Sequence, residues 1–168
     1  MDALFVSKKI GMLTDLTLRH DPFYEKIKNL ETSTDLDFTD PDAVLYKKKF
    51  DRIYRENKGP VMMTLFGYHA LASNDKTKHF IHQGSTLSIF TDNYNSAVDL
   101  AKAKSEDTPK LIACFTSHCV VKVLVPYSRI YFHYGFSLDK NYRDERKVTV
   151  FAHGLTFKVV NRFPKAIT

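Results

Sequence analysis

Residues 56–72 read ENKGPVMMTLFGYHALA, and the spacing of the apolar side chains changes inside this stretch. Before Gly59-Pro60 the apolar residues follow a helical period, and a Gly-Pro pair ends a helix because proline cannot continue it. From residue 61 to residue 72 the chain is apolar on both faces of an extended segment, which is typical of a central strand. The stretch therefore divides the chain into a helical part, residues 1–58, and a sheet part, residues 59–168.

The helical part predicts three helices. Two of them begin at Asp-Pro pairs, Asp21-Pro22 and Asp40-Pro41. Aspartate caps a helix, and proline is tolerated at the first helical position because its missing N–H has no partner there. The third helix covers residues 4–18, where Gly11 interrupts the pattern.

The helix that starts at Pro41 is amphipathic. Lys47–Asp51 and Arg52–Glu56 are i,i+4 ion pairs on its polar side, and Lys48 and Arg55 are assigned to the same side. The apolar stripe on the other side consists of Ala43, Tyr46, Phe50, Ile53 and Tyr54.

The sheet part alternates with a period of two. One helix interrupts it over residues 94–105, capped at Thr91-Asp92. The predicted strands cover residues 61–72, 78–91 (with Gly84 as a bulge), 111–125, 128–136 and 147–160. The fold class is therefore α+β: N-terminal helices followed by a largely antiparallel β-sheet with one inserted helix, in the order β-β-α-β-β-β.

Length and composition favour one domain over residues 1–168. The chain is 43% hydrophobic and 26% charged, with 6 Gly and 6 Pro, which excludes collagen-like, low-complexity and disordered chains. The sequence has no run of 18 apolar residues, so we predict no membrane span. The N-terminal residues do not have the pattern of a secretory signal.

The two cysteines, Cys114 and Cys119, are five residues apart on one predicted strand. An odd separation places their side chains on opposite faces, where they cannot form a disulfide. We therefore expect reduced thiols, which fit a cytoplasmic or nuclear protein.

No motif of a catalytic or cofactor-binding site is present. The patterns GxGxxG, GxSxG, HExxH and CxxC are absent, so we predict no catalytic residue, cofactor, metal or small-molecule substrate. His79 and His82 are three apart and face opposite sides of a strand. The alternative is a phosphodiesterase or nuclease that uses two of His118, His133 and His153, which lie on successive predicted strands, with Lys122 or Lys158 nearby.

Positive charge is concentrated in the last third of the chain. Residues 110–168 hold 10 Lys and Arg against 3 Asp and Glu, whereas residues 1–58 hold 11 of each. Cations beside aromatic rings suit an anionic partner, either a nucleic acid, an anionic membrane surface or an acidic protein. Ordinary solubilising charge is the alternative. The candidate binding residues are Lys140, Tyr142, Arg143, Arg146, Lys147, Lys158, Arg162, Phe163 and Lys165.

Negative charge is concentrated between residues 31 and 42, where no cation occurs. Its members are Glu31, Asp35, Asp37, Asp40 and Asp42. The stretch does not have the central glycine and closing glutamate of a calcium-binding loop. It is either a solvated linker or a surface for a basic partner. Contact with the basic tail of the same chain would be an intramolecular latch, whereas contact with the tail of another copy would make the chain a homo-oligomer.

Together these features predict a non-enzymatic structural or assembly protein. A small, basic, Trp-free chain with one antiparallel sheet resembles, in composition, many viral coat and matrix proteins and accessory RNA-binding proteins. We expect self-association, and binding of an anionic partner through the basic C-terminal third.

Overall fold

The structure, a computed structural model, describes residues 3–28, 39–72, 80–82, 87–109, 116–133 and 146–163. The N-terminal helices are α1 (Ala3–Leu18), α2 (Pro22–Lys28) and α3 (Pro41–Glu56), and α4 (Tyr94–Asp107) lies within the sheet part. The strands are β1 (Met62–Ala72), β2 (Phe80–His82), β3 (Leu87–Thr91), β4 (Thr116–Pro126), β5 (Ile130–His133), β6 (Lys147–Phe151) and β7 (Thr156–Phe163). The predicted fold class is confirmed.

Side-chain caps start the helices where the Asp-Pro pairs predicted them. The carboxylate of Asp21 accepts from the N–H of Phe23 at 2.9 Å, and that of Asp40 accepts from the N–H of Asp42 at 2.8 Å. The cap predicted for α4 at Thr91-Asp92 is wrong by one or two residues. The N-cap is Asn93, whose side chain accepts from the N–H of Asn95. The Thr91 hydroxyl instead accepts from the N–H of Asn93, which supports that cap.

A buried tyrosine defines the end of α3. The left-handed residue there is Lys58, with φ 59°, and not the glycine that follows it. The ring of Tyr54 lies against Gly59, where a Cβ atom would overlap the ring, and the Tyr54 hydroxyl donates to the carbonyl of Pro60 at 2.6 Å. Gly59 is therefore required by the close approach of an aromatic ring.

Lys47 forms the predicted ion pair with Asp51, but its assignment to the solvent-facing polar side of α3 is wrong. Only 14% of its side chain is exposed, and its Nζ donates to the carbonyls of Ile130 at 2.6 Å and Tyr127 at 3.1 Å, as well as to Asp51. Burial lowers the pKa of Lys47, and the Asp51 carboxylate opposes that shift. The stripe that α3 buries is thus wider than the apolar residues alone indicate.

The described strands form one antiparallel sheet of seven, in the order β2-β7-β4-β1-β3-β6-β5. The longest pairing joins β1 to β4, from Met62 opposite Pro126 to Ala72 opposite Thr116. β1 lies between β4 and β3, in the central position that its two apolar faces predicted.

Two of the predicted strands each appear as two shorter ones. The stretch 147–160 is divided into β6 and β7 by a turn in which Gly154 has φ 79°, and the stretch 78–91 is represented by β2 and β3, with Gly84 outside the described residues. The register is nevertheless continuous, since His82 faces Thr156 and Leu87 faces Phe151. The two predicted strands thus form one interrupted ribbon.

This ribbon curls the sheet back on itself. Its β7 end pairs with β4, and its β3 end meets β1 at Thr91 opposite Phe66. The rings of Phe90 on β3 and Phe157 on β7 therefore come together, with centroids 5.3 Å apart. Gly67 makes room for them, since a Cβ there would be 2.7 Å from Cδ1 of Phe90.

The two faces of the sheet have different cover. The inner face packs with α1, α2 and α3 in the main core, which includes Tyr46, Phe50, Leu65, Val121, Val150 and Phe157. The outer face packs against α4 through a smaller cluster of Ala97, Ala101 and Val120, with Phe66, Tyr68, Val160 and Phe163 half-buried beside it. No described helix is both long and apolar enough to span a membrane.

We predict opposite effects of substitution at neighbouring positions after α3. Gly59→Ala should lower the free energy of unfolding by about 1–3 kcal/mol, because its methyl group overlaps the Tyr54 ring. Lys58→Gly should raise it by about 0.5–1 kcal/mol, because glycine adopts the left-handed conformation without strain. Urea unfolding followed by circular dichroism measures both. Equal changes in the two variants would show that the Tyr54 ring does not constrain Gly59.

Candidate anion-binding surface

The described residues include five of the nine candidates for anion binding. These are Arg146, Lys147, Lys158, Arg162 and Phe163, whereas Lys140, Tyr142, Arg143 and Lys165 lie outside the described residues. The five do not form one continuous basic surface, because only Lys158 is exposed and the other four are half-buried.

Arg146 and Lys147 contact other groups of the chain. The Nε of Arg146 is 2.8 Å from Oδ1 of Asp92, and the Nζ of Lys147 lies 5.8 Å from the centroid of the Phe132 ring. Burial raises the pKa of Asp92, and Arg146 opposes that rise. These two cations help to hold β6 in the fold.

Lys158 on β7 lies directly opposite Lys122 on β4, and both side chains are exposed. Neither lysine forms an ion pair with an acid in the described part of the chain. Like charges directly opposite each other in an antiparallel sheet are destabilising. The alternation of β4 placed Lys122 on the polar face, but only the register brings it next to Lys158.

Two aromatic rings lie beside these lysines, one on the next strand of the sheet and one on α4. Phe66 on β1 is the partner of Lys122 on the side away from Lys158, and its ring is half-buried. Tyr94, the first residue of α4, packs edge-on against Phe66 with centroids 5.3 Å apart and is 38% exposed. Neither ring was a candidate from the sequence, because no sequence pattern indicates that a residue of β1 and a residue of α4 are in contact.

A β-bulge in β7 orients the residues beside this row. Val120 pairs with Asn161 and Val121 pairs with Val159, so Val160 is an extra residue. The extra residue changes the alternation, so that Asn161 faces the same side as Lys158. The Asn161 amide donates to the hydroxyl of Tyr94 at 3.0 Å.

The other two described candidates, Phe163 and Arg162, face opposite sides of the sheet. Phe163 packs against α4 on the outer face of the sheet, and Nζ of Lys102 is 5.8 Å from its ring centroid. Arg162 is half-buried opposite Cys119. We name the exposed row of Lys122 and Lys158 together with the rings of Phe66 and Tyr94 the outer-face surface.

Cys119 is a free, buried thiol that donates to the carbonyl of His69 at 3.1 Å. Burial raises its pKa to about 11, and Arg162 opposes the shift. The absence of a disulfide at Cys119 agrees with the prediction, whereas Cys114 lies outside the described residues.

The three histidines of the alternative enzyme hypothesis occupy three separate environments. His118 is buried on the outer side of the sheet beneath α4. Tyr68 donates to its Nδ1 at 2.7 Å, and its Nε2 donates to the hydroxyl of Thr108 at 2.7 Å, since that hydroxyl itself donates to the carbonyl of Lys104. This network fastens the C-terminal end of α4 to the sheet.

His133 is buried in the inner core, and His153 is exposed in the turn after β6. Nε2 of His133 is 3.3 Å from the sulfur of Met63, and the imidazole packs edge-on against Tyr54. His118, His133 and His153 therefore do not form the base and acid pair that a two-histidine phosphodiesterase needs. Within the described residues, no three His, Cys, Asp or Glu side chains are placed to hold a metal ion.

Two of the five acidic candidates for self-association are described. Asp40 caps α3, and Asp42 is exposed in its first turn. Glu31, Asp35 and Asp37 lie outside the described residues.

Comparison with known proteins gives no family for this chain. No protein-family model matches it, and neither a curated protein nor a solved structure is significantly similar to it.

Burial of His133 predicts a loss of stability in mild acid. Burial lowers its pKa to about 4, below the value of 6.5 expected in the unfolded chain, so between these pH values the unfolded chain takes up a proton that the folded chain does not. Its contribution of about 3 kcal/mol to the free energy of unfolding is present above pH 6.5 and is lost as the pH falls to about 4.

The measurement is urea unfolding at pH values between 4 and 7. His133→Gln should flatten the pH dependence in that window, whatever its effect at pH 7, and His153→Gln should leave it unchanged. A natural chain whose stability is constant over the window would contradict the prediction.

Proposed function

We propose that this protein is a non-enzymatic structural or assembly protein of the coat or matrix type, which binds a polyanion through its basic sheet part and self-associates. The observation that carries the proposal is the pair Lys122 and Lys158, exposed on neighbouring strands without an acidic partner in the described part of the chain. The buried, protonated thiol of Cys119 supports a cytoplasmic or nuclear location.

The energetics of this pair favour an anionic partner. Two ammonium groups on opposed strand positions repel each other, which costs stability in the free protein. A phosphate or sulfate placed between them removes the repulsion and gains two charge-assisted contacts. The free energy that the fold loses at this position is thus recovered on binding.

Removal of both lysines tests the proposal. Lys122→Gln with Lys158→Gln should weaken binding of heparin, a generic polyanion, and should lower the slope of log Kd against log salt by about 1–2. The free energy of unfolding should stay the same or rise slightly, because the repulsion is removed as well. Fluorescence titration of labelled heparin between 50 and 300 mM NaCl gives the slope.

The matched control is Lys8→Gln with Lys48→Gln, which removes two charges from exposed positions on α1 and α3. This control should retain the salt slope of the natural chain. The same loss in both double variants would show that only net charge matters, and the proposed surface would be wrong.

Self-association rests on the separation of charge along the chain. The acids of residues 31–42 are not neutralised by any cation within that stretch, and the excess of basic over acidic residues lies in the last third. Asp40 is occupied as the cap of α3, whereas Asp42 is exposed. A contact of acidic and basic surfaces between copies is heterologous and weakens as salt screens it.

Neutralising the acidic stretch should reduce the assembly. Glu31→Gln, Asp35→Asn, Asp37→Asn and Asp42→Asn, with Asp40 kept as the cap, should shift the sedimentation coefficient toward that of the monomer at low salt. The natural chain should show the same shift when salt is raised to 0.5 M. A natural chain that sediments as a monomer at every salt and protein concentration would exclude this part of the proposal.

A further inference from the structure

We infer that the outer-face surface binds single-stranded nucleic acid, with phosphates at Lys122 and Lys158 and a base stacked on the ring of Tyr94, which packs on Phe66. The inference rests on the proposed function and adds to it the class of the polyanion. It follows from the fact that two cations and Phe66 share one row of the sheet, with the ring of Tyr94 on α4 packed against Phe66.

The row has the dimensions of such a contact. Phe66, Lys122 and Lys158 occupy consecutive positions across β1, β4 and β7. Neighbouring strands are about 4.8 Å apart, so the ring and the farther lysine are separated by about 10 Å across the sheet. A short piece of a single strand can therefore reach both the rings and the cations.

The aromatic pair is held in place before any partner binds. The side-chain amide of Asn161 donates to the Tyr94 hydroxyl, and the side-chain oxygen Oδ1 of Asn161 accepts from the backbone N–H of Arg162 at 2.9 Å. The edge-on contact with Phe66 fixes the other side of the Tyr94 ring. A ring that is already ordered loses little conformational entropy on binding, which favours its use as a stacking platform.

Among the described residues, the same face is exposed beyond the rings. α4 covers the outer face at Val120 and Val160, but Lys122 and Thr64 are exposed, and 58% of the neighbouring Leu124 is exposed. Bases of a single strand are free to stack on such a face, because every base has a π-face, whereas the bases of a duplex are stacked on each other.

An anionic membrane is the less favoured partner. The lysines and Leu124 would suit a lipid surface, but lipid gives no role to a half-buried Phe66 ring held edge-on by Tyr94. Lipid binding is therefore an outcome that the experiment must distinguish.

The experiment compares four probes with the full chain at 100 mM NaCl, by fluorescence anisotropy for the oligonucleotides. The probes are a 12-nucleotide oligothymidylate, a 12-mer of the same backbone with abasic sites, a 12-base-pair duplex, and vesicles with 30% phosphatidylserine measured by co-sedimentation. We expect the oligothymidylate to bind about 5- to 100-fold more tightly than the abasic strand, which is the range expected for one stacked base.

Substitutions of the rings test the placement. Tyr94→Leu should remove most of that preference, and Phe66→Leu, which removes the ring that supports Tyr94, should reduce it. Both variants should leave the affinity for the abasic strand and for heparin unchanged. Tyr94→Phe keeps the ring and should keep the preference. The matched control is Phe5→Leu, which removes a ring that is 58% exposed on α1 and should have no effect.

The outcomes separate the inference from the proposed function. Equal affinity for the oligothymidylate and the abasic strand would overturn the inference and leave polyanion binding intact. Binding of vesicles without binding of either strand would assign the surface to lipid and also overturn the inference. If the chain binds neither heparin nor any of the four probes, both the inference and the proposed function are overturned. Thermal unfolding shows whether Phe66→Leu is folded, and Tyr94→Leu, at an exposed position, tests the ring independently.

Discussion

The attachment of α3 to the edge of the sheet determines how the rest of the molecule is arranged. Tyr46 donates to the carbonyl of Tyr131 at 2.5 Å, and Lys47 donates to that of Ile130 at 2.6 Å. β5 is an edge strand, and an edge strand exposes backbone groups that can pair with other chains. The two side chains of α3 satisfy carbonyls of this strand, and they also hold the helical layer on the inner face.

Because the N-terminal helices occupy the inner face, α4 is the one described helix that covers the outer face. α4 is fastened at its C-terminal end through Thr108 and His118, and at its N-terminal end through Tyr94, which contacts Phe66 and Asn161. The helix covers one end of the outer face and leaves the row of Lys122 and Lys158 exposed. The polar network around His118 is therefore structural. It holds α4 in place, and the position of α4 determines which part of the outer face stays exposed.

The curl of the sheet brings distant parts of the sequence into that row. Lys158 lies on β7, which follows β6 along the interrupted ribbon. It lies opposite Lys122 only because β7 pairs with β4, whereas β6 pairs with β3 and β5. The contact of Phe90 with Phe157 beneath Gly67 stabilises this curl from the inner side. The proposed binding surface thus depends on the packing of the opposite face.

The sequence by itself determined the local features: the capped starts of α2 and α3, the change of period after Gly59-Pro60, and the placement of Lys122 on the polar side of β4. These follow from backbone preferences and from side-chain alternation, which act over a few residues. The tertiary structure alone decided that Lys47 is buried, that Arg146 is held by Asp92, and that a bulge at Val160 turns Asn161 toward Tyr94. It also set Lys122 opposite Lys158, because the register between strands is fixed by the packing of the whole sheet and by no pattern within either strand.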